Sequence, residues 1–350
     1  MIGQVTRAAK GFPGDVKMLT PLLSFASDDM TAGRSARAGR ILETLVEQYP
    51  KQPTAILALT SWMISRGQLD GASKVVQDGL KNLPGNAALH EALGDTSCYR
   101  LDFHSALRSY AKAVSLDSKR RSAQLSYAAV LQITDPHEAR TIAVALRDQE
   151  GAGSPLPTLQ VSPEGTIRST SKVTRAAAAL IKSIDERSPG PLSDYGLAKS
   201  LWQQGFEPQA LAESEVALSK DPAQMEAWML RANILSGIGL DAQALGALDK
   251  AQAILETATD RSFAYTKDEV FAARGVSLSR LGRNDEALAA FGKVSDPDRF
   301  AYPIAIVQER LGHVEEARRL LEKIVASGSN STEVESARRR LAQDPYRKNP

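Results

Sequence analysis

The chain has 350 residues, 43% of them hydrophobic and 24% charged, with 43 Lys and Arg against 41 Asp and Glu for a formal charge of +2. That composition excludes a disordered tail, a collagen-like fibre and a bilayer-spanning bundle, and the even charge does not mark the whole molecule for nucleic acid or an anionic membrane. Only 5% is aromatic, so the core has to be built from small aliphatic side chains that let helices approach closely; the lone cysteine, Cys98, allows no intrachain disulfide and fits a reducing compartment.

Residues 1–18 read as an N-terminal extension without the apolar run of a secretory signal, and no eighteen apolar residues follow one another anywhere. The expected location is the cytoplasm, or the periplasm if an upstream signal segment has been removed.

From residue 19 onward the chain repeats itself. An alanine, mostly followed four residues later by a large residue, recurs at Ala38, Ala72, Ala106, Ala139, Ala210, Ala244, Ala287 and Ala317, the first two steps being 34 residues. The 71-residue gap after Ala139 leaves room for a degenerate unit anchored at Ala177. Five residues before the anchor stands Gly33, Gly67, Gly205, Gly239, Gly282 or Gly312, the glycine being missing before Ala106, where Leu101 takes the slot, and before Ala139 and Ala177; twelve residues after it stands Pro50, Pro84, Pro189 or Pro222. Upstream, helix-spaced sets such as Leu22, Phe25 and Ala26, or Phe271, Gly275 and Leu278, draw one apolar stripe per helix. Each unit is therefore a pair of antiparallel helices: the glycine ends the first, the alanine marks where the two cross, and rings such as Tyr110, Trp228, Phe271 and Phe291 fill the space left by small residues. A single unit cannot bury its own stripe, so the units must stack.

Two stretches interrupt or close the array. Residues 150–172 are rich in Gly, Pro and Ser and carry no helical stripe, which predicts a seam, a missing first helix in the fifth unit, and a small β-hairpin insert near 158–169 or a plain linker. The second array then runs over 173–326, matching a first array over 19–149, and residues 331–343 form a capping helix that carries Arg338, Arg339 and Arg340.

These residues resemble the tetratricopeptide repeat family, in roughly nine units over residues 19–326; the fullest copies are NAALHEALGDTSCYRLDFHSALRSYAKAVSLDS, MEAWMLRANILSGIGLDAQALGALDKAQAIL and DEVFAARGVSLSRLGRNDEALAAFGKV. The resemblance implies an all-α, right-handed α-solenoid superhelix whose first helices line a concave groove. It places groove-facing slots 18, 15, 11, 8 and 7 residues before each anchor, and so nominates Tyr195, Lys199, Trp202, Met229, Asn233, Arg280, Tyr302 and Arg310 as a peptide-binding set. Rings that bury area beside amide and guanidinium donors suit peptide capture. The first half offers Leu57, Ser61, Ile64, Glu91, Asp95 and Tyr99, a more acidic lining. The carboxylate clamp of chaperone-binding relatives needs a fixed set of basic and amide residues in adjacent repeats, which this chain does not reproduce, Lys199 and Asn233 being isolated.

Catalytic patterns are thin. The four histidines are scattered and none pairs with another at ligand spacing, so neither a metal nor a cofactor is expected; Cys98, Asp102 and His104 lie close in sequence but at ordinary helix ends. The reading is a non-enzymatic scaffold that binds a protein or peptide, with no nucleic acid partner, no membrane insertion, and self-association through an uncapped first unit as an option. The alternatives are a bacterial envelope component, of the kind used in polysaccharide secretion or pilus assembly, and the repeat arm of a larger enzyme.

Overall fold

The computed structural model describes residues 16–31, 35–148, 170–185, 191–257, 265–327 and 332–343. Among them there are helices and turns and no strand. The N-terminal extension up to residue 15, Gly33 and the expected hairpin at 158–169 lie outside the described residues.

The chain divides into two compact units, Met1–Pro222 and Ala223–Pro350. In the first, α1 (Val16–Thr31) pairs with α2 (Ser35–Gln48), α3 (Pro53–Ile64) with α4 (Leu69–Asn82), α5 (Ala87–Tyr99) with α6 (Phe103–Leu116), and α7 (Arg121–Leu131) with α8 (Pro136–Asp148). A single helix, α9 (Thr170–Asp185), packs on α8 and touches α7; then α10 (Pro191–Gln203) pairs with α11 (Glu207–Lys220). The second unit pairs α12 (Met225–Gly237) with α13 (Asp241–Thr257), α14 (Lys267–Arg280) with α15 (Asn284–Phe291), and α16 (Ala301–Arg310) with α17 (Val314–Ala326), and closes with α18 (Thr332–Leu341) on α17.

Helix starts and stops follow from identifiable side chains. Asn86 and Asp102 accept hydrogen bonds from the backbone N–H of Leu89 and Ser105, both at 3.0 Å, satisfying donors that the first turn leaves open. Thr266 and Glu269 cap α14 reciprocally, a box that the repeat pattern alone does not single out. At the other end, the slot five residues before the anchor takes positive φ at Gly67, Gly205, Gly239, Gly282 and Gly312, between 67° and 84°. At Gly205 the turn is closed by Gly205 N–H to Trp202 O and Phe206 N–H to Leu201 O, both 2.9 Å. Leu101 adopts the same conformation, φ 60°, with the same pair of bonds from Leu101 N–H to Cys98 O and Asp102 N–H to Ser97 O.

The anchor alanines are buried where the two helices of each pair meet, and rings fill the space opposite small residues. Tyr110 lies against Gly94, Phe291 against Gly275 and Trp62 against Gly39. Trp62 also donates from Nε1 to Ser35 O at 3.2 Å and Oγ at 3.1 Å, so the α2–α3 contact is fixed in direction as well as in area. Two expectations need correction. Phe25 does not join Leu22 and Ala26 on the buried stripe but is 47% exposed, because its neighbours three residues back and one ahead already fill the seam with α2. Trp228 is half-buried, with the Arg231 guanidinium 5.1 Å from its ring centroid; Arg231, which stands where the repeat has a large apolar residue, is itself buried. The 30-residue step from Ala287 to Ala317 is explained by the eight-residue α15 and by a 3-10 turn at Pro297–Phe300 ahead of a ten-residue α16.

Candidate functional site

The candidate surface is the face that the first helix of each pair turns away from its partner. Its slots behave differently in the two units.

In the first unit the part of this face on α5 and α7 is covered by the chain itself. Helix α11 packs against α5 and α7. Glu207 accepts a hydrogen bond from the Tyr99 hydroxyl at 2.7 Å, Gln209 donates through Nε2 to Ser126 Oγ at 2.6 Å, and Gln132 donates to Glu213. Tyr99 and Gln132 both stand seven residues before their anchors, a groove slot in each case. Ala212 adds the apolar contact, joining a cluster with Val130, Cys98 and Tyr110. Of the nominated residues in this unit, Tyr195 is buried with the Lys199 ammonium 5.9 Å from its ring centroid, Lys199 is exposed, and Trp202 is half-buried, all on α10.

In the second unit an arginine ladder runs along the same face. Arg280, at the end of α14, donates to Ser236 O at 2.6 Å and Ser236 Oγ at 3.0 Å on α12, with Asp241 3.8 Å away. Arg310, at the end of α16, repeats the contact one unit on, to Ser279 O at 2.5 Å and Ser279 Oγ at 2.8 Å. Arg340 on α18 then grips Glu309 at 2.6 and 2.8 Å. The three arginines are spaced 30 residues apart, and each bonds the residue eight before the preceding unit's anchor. A cation at the carbonyl end of a helix also meets the negative end of its dipole. Around the ladder, Asn233, Val276, Tyr302 and Ile306 are half-buried, whereas Met229 is buried. The nominated residues therefore divide, with Tyr195, Lys199 and Trp202 in one unit and Met229, Asn233, Arg280, Tyr302 and Arg310 in the other.

The remaining chemistry is structural. Cys98 is fully buried and burial pushes its thiol far up, with the Tyr110 hydroxyl offsetting only part of that; Asp102 is a helix cap and His104 is exposed. The basic run at Lys119–Arg121 is largely spent internally: Arg120 pairs with buried Glu91, and Arg121 bridges Leu146 O at 2.7 Å and Thr174 Oγ1 at 2.8 Å. Among the described residues no three His, Cys, Asp or Glu side chains are grouped to hold a metal ion, and no helix is long and apolar enough to cross a membrane.

Sequence reasoning missed α11 as the occupant of the first face. A signal existed, since extending the slots to the fourth anchor picks out Gln132. The position of Glu207, Gln209 and Glu213, more than eighty residues further on, has no local signature.

Stacked antiparallel pairs with small residues at each crossing define an all-helical repeat protein. Residues 29–95 match the family model of the tetratricopeptide repeat. A search of the curated proteins found no match. Among solved structures the chain is similar to a tetratricopeptide repeat protein from Parabacteroides merdae, with 13% identity over 84% of this chain and 97% of that one at a TM-score of 0.37. It is also similar to yeast Tom70, with 15% identity over 98% and 86% of the two chains at 0.39, and to MamA, with 20% identity over 57% and 95% at 0.24.

Proposed function

We propose that the protein is a non-enzymatic scaffold that holds a helix or extended peptide of a partner protein against the first-helix face of the second unit. The observation that carries this reading is the contrast between the two faces. Across α5 and α7 the slots are filled by a helix from outside their own pairs, whereas among the described residues only α15, the partner of α14 in its pair, packs against both α14 and α16, and Val276, Tyr302 and Ile306 keep part of their apolar surface in water. Apolar side chains flanked by guanidinium groups with spare donors, at Arg280 and Arg310, suit a segment that presents both an apolar edge and carboxylates or backbone carbonyls.

The test is affinity purification with the full chain as bait, followed by mass spectrometry. A partner recovered with the wild type is expected to be lost with Ile306→Asp and reduced at least several-fold with Arg280→Ala, at unchanged helical content. Equal recovery with all three baits would end this reading.

A further inference from the structure

The contact between α11 and the α5–α7 face is made largely through polar side chains. Three side-chain pairs fall within seven residues of one helix, at Glu207, Gln209 and Glu213, and Ala212 adds an apolar contact. The polar fit is incomplete: Gln209 Oε1 is buried and accepts no hydrogen bond among the described residues. A buried acceptor left without a donor takes back much of what the neighbouring bonds contribute. Helix α11 has its main neighbour in its pair partner α10, where Leu197, Ala198 and Leu201 are buried. The pairs it makes with α5 and α7 join residues 81 to 108 positions apart, so nothing local holds the helix on that face.

From this we infer that the α5–α7 face is a helix-binding site occupied in cis by α11, and that it accepts in trans an amphipathic helix presenting a carboxylate, an amide and a carboxylate at relative positions 1, 3 and 7. Tyr99 and Gln132 select the two acids, Ser126 selects the amide, and the small side chain between them, Ala212 in the cis helix, lets the incoming backbone approach. The tethered helix acts as a built-in competitor at high effective concentration, so an incoming helix binds more weakly than the bare face would permit. This site is independent of the second-unit face proposed above.

The probe is a fluorescently labelled peptide of residues 205–222, titrated against the full chain. Gln209→Arg in the chain removes the Ser126 pair and buries an unmatched charge, so it should unseat α11 and tighten peptide binding at least ten-fold over wild type. The same substitution in the peptide should abolish binding. A double variant, Ser126→Cys with Gln209→Cys, supplies the opposite arm: oxidised, it locks α11 down and should bind the peptide at least ten-fold more weakly than when reduced. Failure of the two thiols to join, equal binding by the reduced and oxidised chains, or no gain from a folded Gln209→Arg chain overturns the inference. The disulfide arm decides alone if Gln209→Arg does not fold. Ile306→Asp, which tests the second-unit face, should leave peptide binding unchanged, so the two proposals fail separately.

Discussion

Gly94 and Tyr110 are fitted to each other across the α5–α6 crossing: a Cβ on the glycine would lie 2.5 Å from the ring, and the ring is held in place by the Tyr110 hydroxyl, which bonds Asp95 at 2.7 Å. The ring cannot swing aside without giving up that bond. Gly94→Ala is therefore expected to destabilise the protein by about 1–3 kcal/mol through overpacking, read as a lower urea midpoint at unchanged slope. Combining it with Tyr110→Leu should recover part of the loss, because the smaller side chain makes room; strictly additive losses would show that the two residues do not interact.

Leu101 carries the opposite kind of strain. It occupies the turn slot that glycine fills, with positive φ, at Gly67, Gly205, Gly239, Gly282 and Gly312, and its φ of 60° is a conformation in which a Cβ crowds the following carbonyl. Leu101→Gly should raise stability by about 1 kcal/mol and the melting temperature by roughly 2–4 °C, the shift expected for units of this size. A lower melting temperature would mean that the packing of the leucine side chain outweighs its backbone cost.

These two positions show how far the sequence could be read. The repeat frame, the turn glycines and the pairing of small with large residues all depend on neighbours within one unit, and a 34-residue period exposes them. Leu101 is one of three slots in that frame that lack the glycine, with Thr134 and Lys172. Phe25 was misread because a helical stripe gives the side of the helix but not the width of the buried seam. Of the helix covering α5 and α7 only the receiving slots, Tyr99 and Gln132, were legible; their partners Glu207 and Glu213 were not, since these are long-range pairs between ordinary surface residue types. The arginine ladder was half legible: the slots located Arg280 and Arg310, but not their partners Ser236 and Ser279.

Asp102 gives a pH-dependent contribution. The hydroxyl and backbone N–H of Ser105 hold its carboxyl below the ordinary value of 3.8, so the folded state binds this proton less readily than the unfolded chain. The stabilisation is present above that ordinary value and is lost as the pH falls through the depressed one. Asp102→Ala should cost about 1 kcal/mol at neutral pH, the usual worth of such a cap, and the difference from wild type should shrink below pH 4. Urea titrations at neutral and acid pH check both the size and the sign.

Cys98 should behave as an inert core residue. Burial disfavours the thiolate, and the thiol lies 3.5 Å from the Tyr110 hydroxyl with no access to solvent. An aromatic disulfide reagent is expected to leave it unlabelled in the native protein at neutral pH and to label it rapidly once denaturant opens α5 from α6. Fast labelling of the folded chain would contradict this packing.

The arginine ladder separates a structural from a binding role. Arg310 donates from one guanidinium nitrogen to both the carbonyl and the hydroxyl of Ser279, so Arg310→Ala leaves the last turn of α14 short of a donor and a cation. Because the contact is only part-buried, water takes up some of the loss, and the expected cost is about 1 kcal/mol. Arg310→Lys should restore most of it, since an ammonium can reach the same carbonyl as a point charge. Partner capture should respond differently: a planar guanidinium can offer a second edge to a carboxylate while its first edge holds Ser279, and lysine cannot. Recovery of stability without recovery of capture in Arg310→Lys, measured by thermal unfolding and by pull-down on the same preparations, is the expected outcome. If capture returns together with stability, Arg310 only braces the helix and the ligand is gripped by other residues of the face.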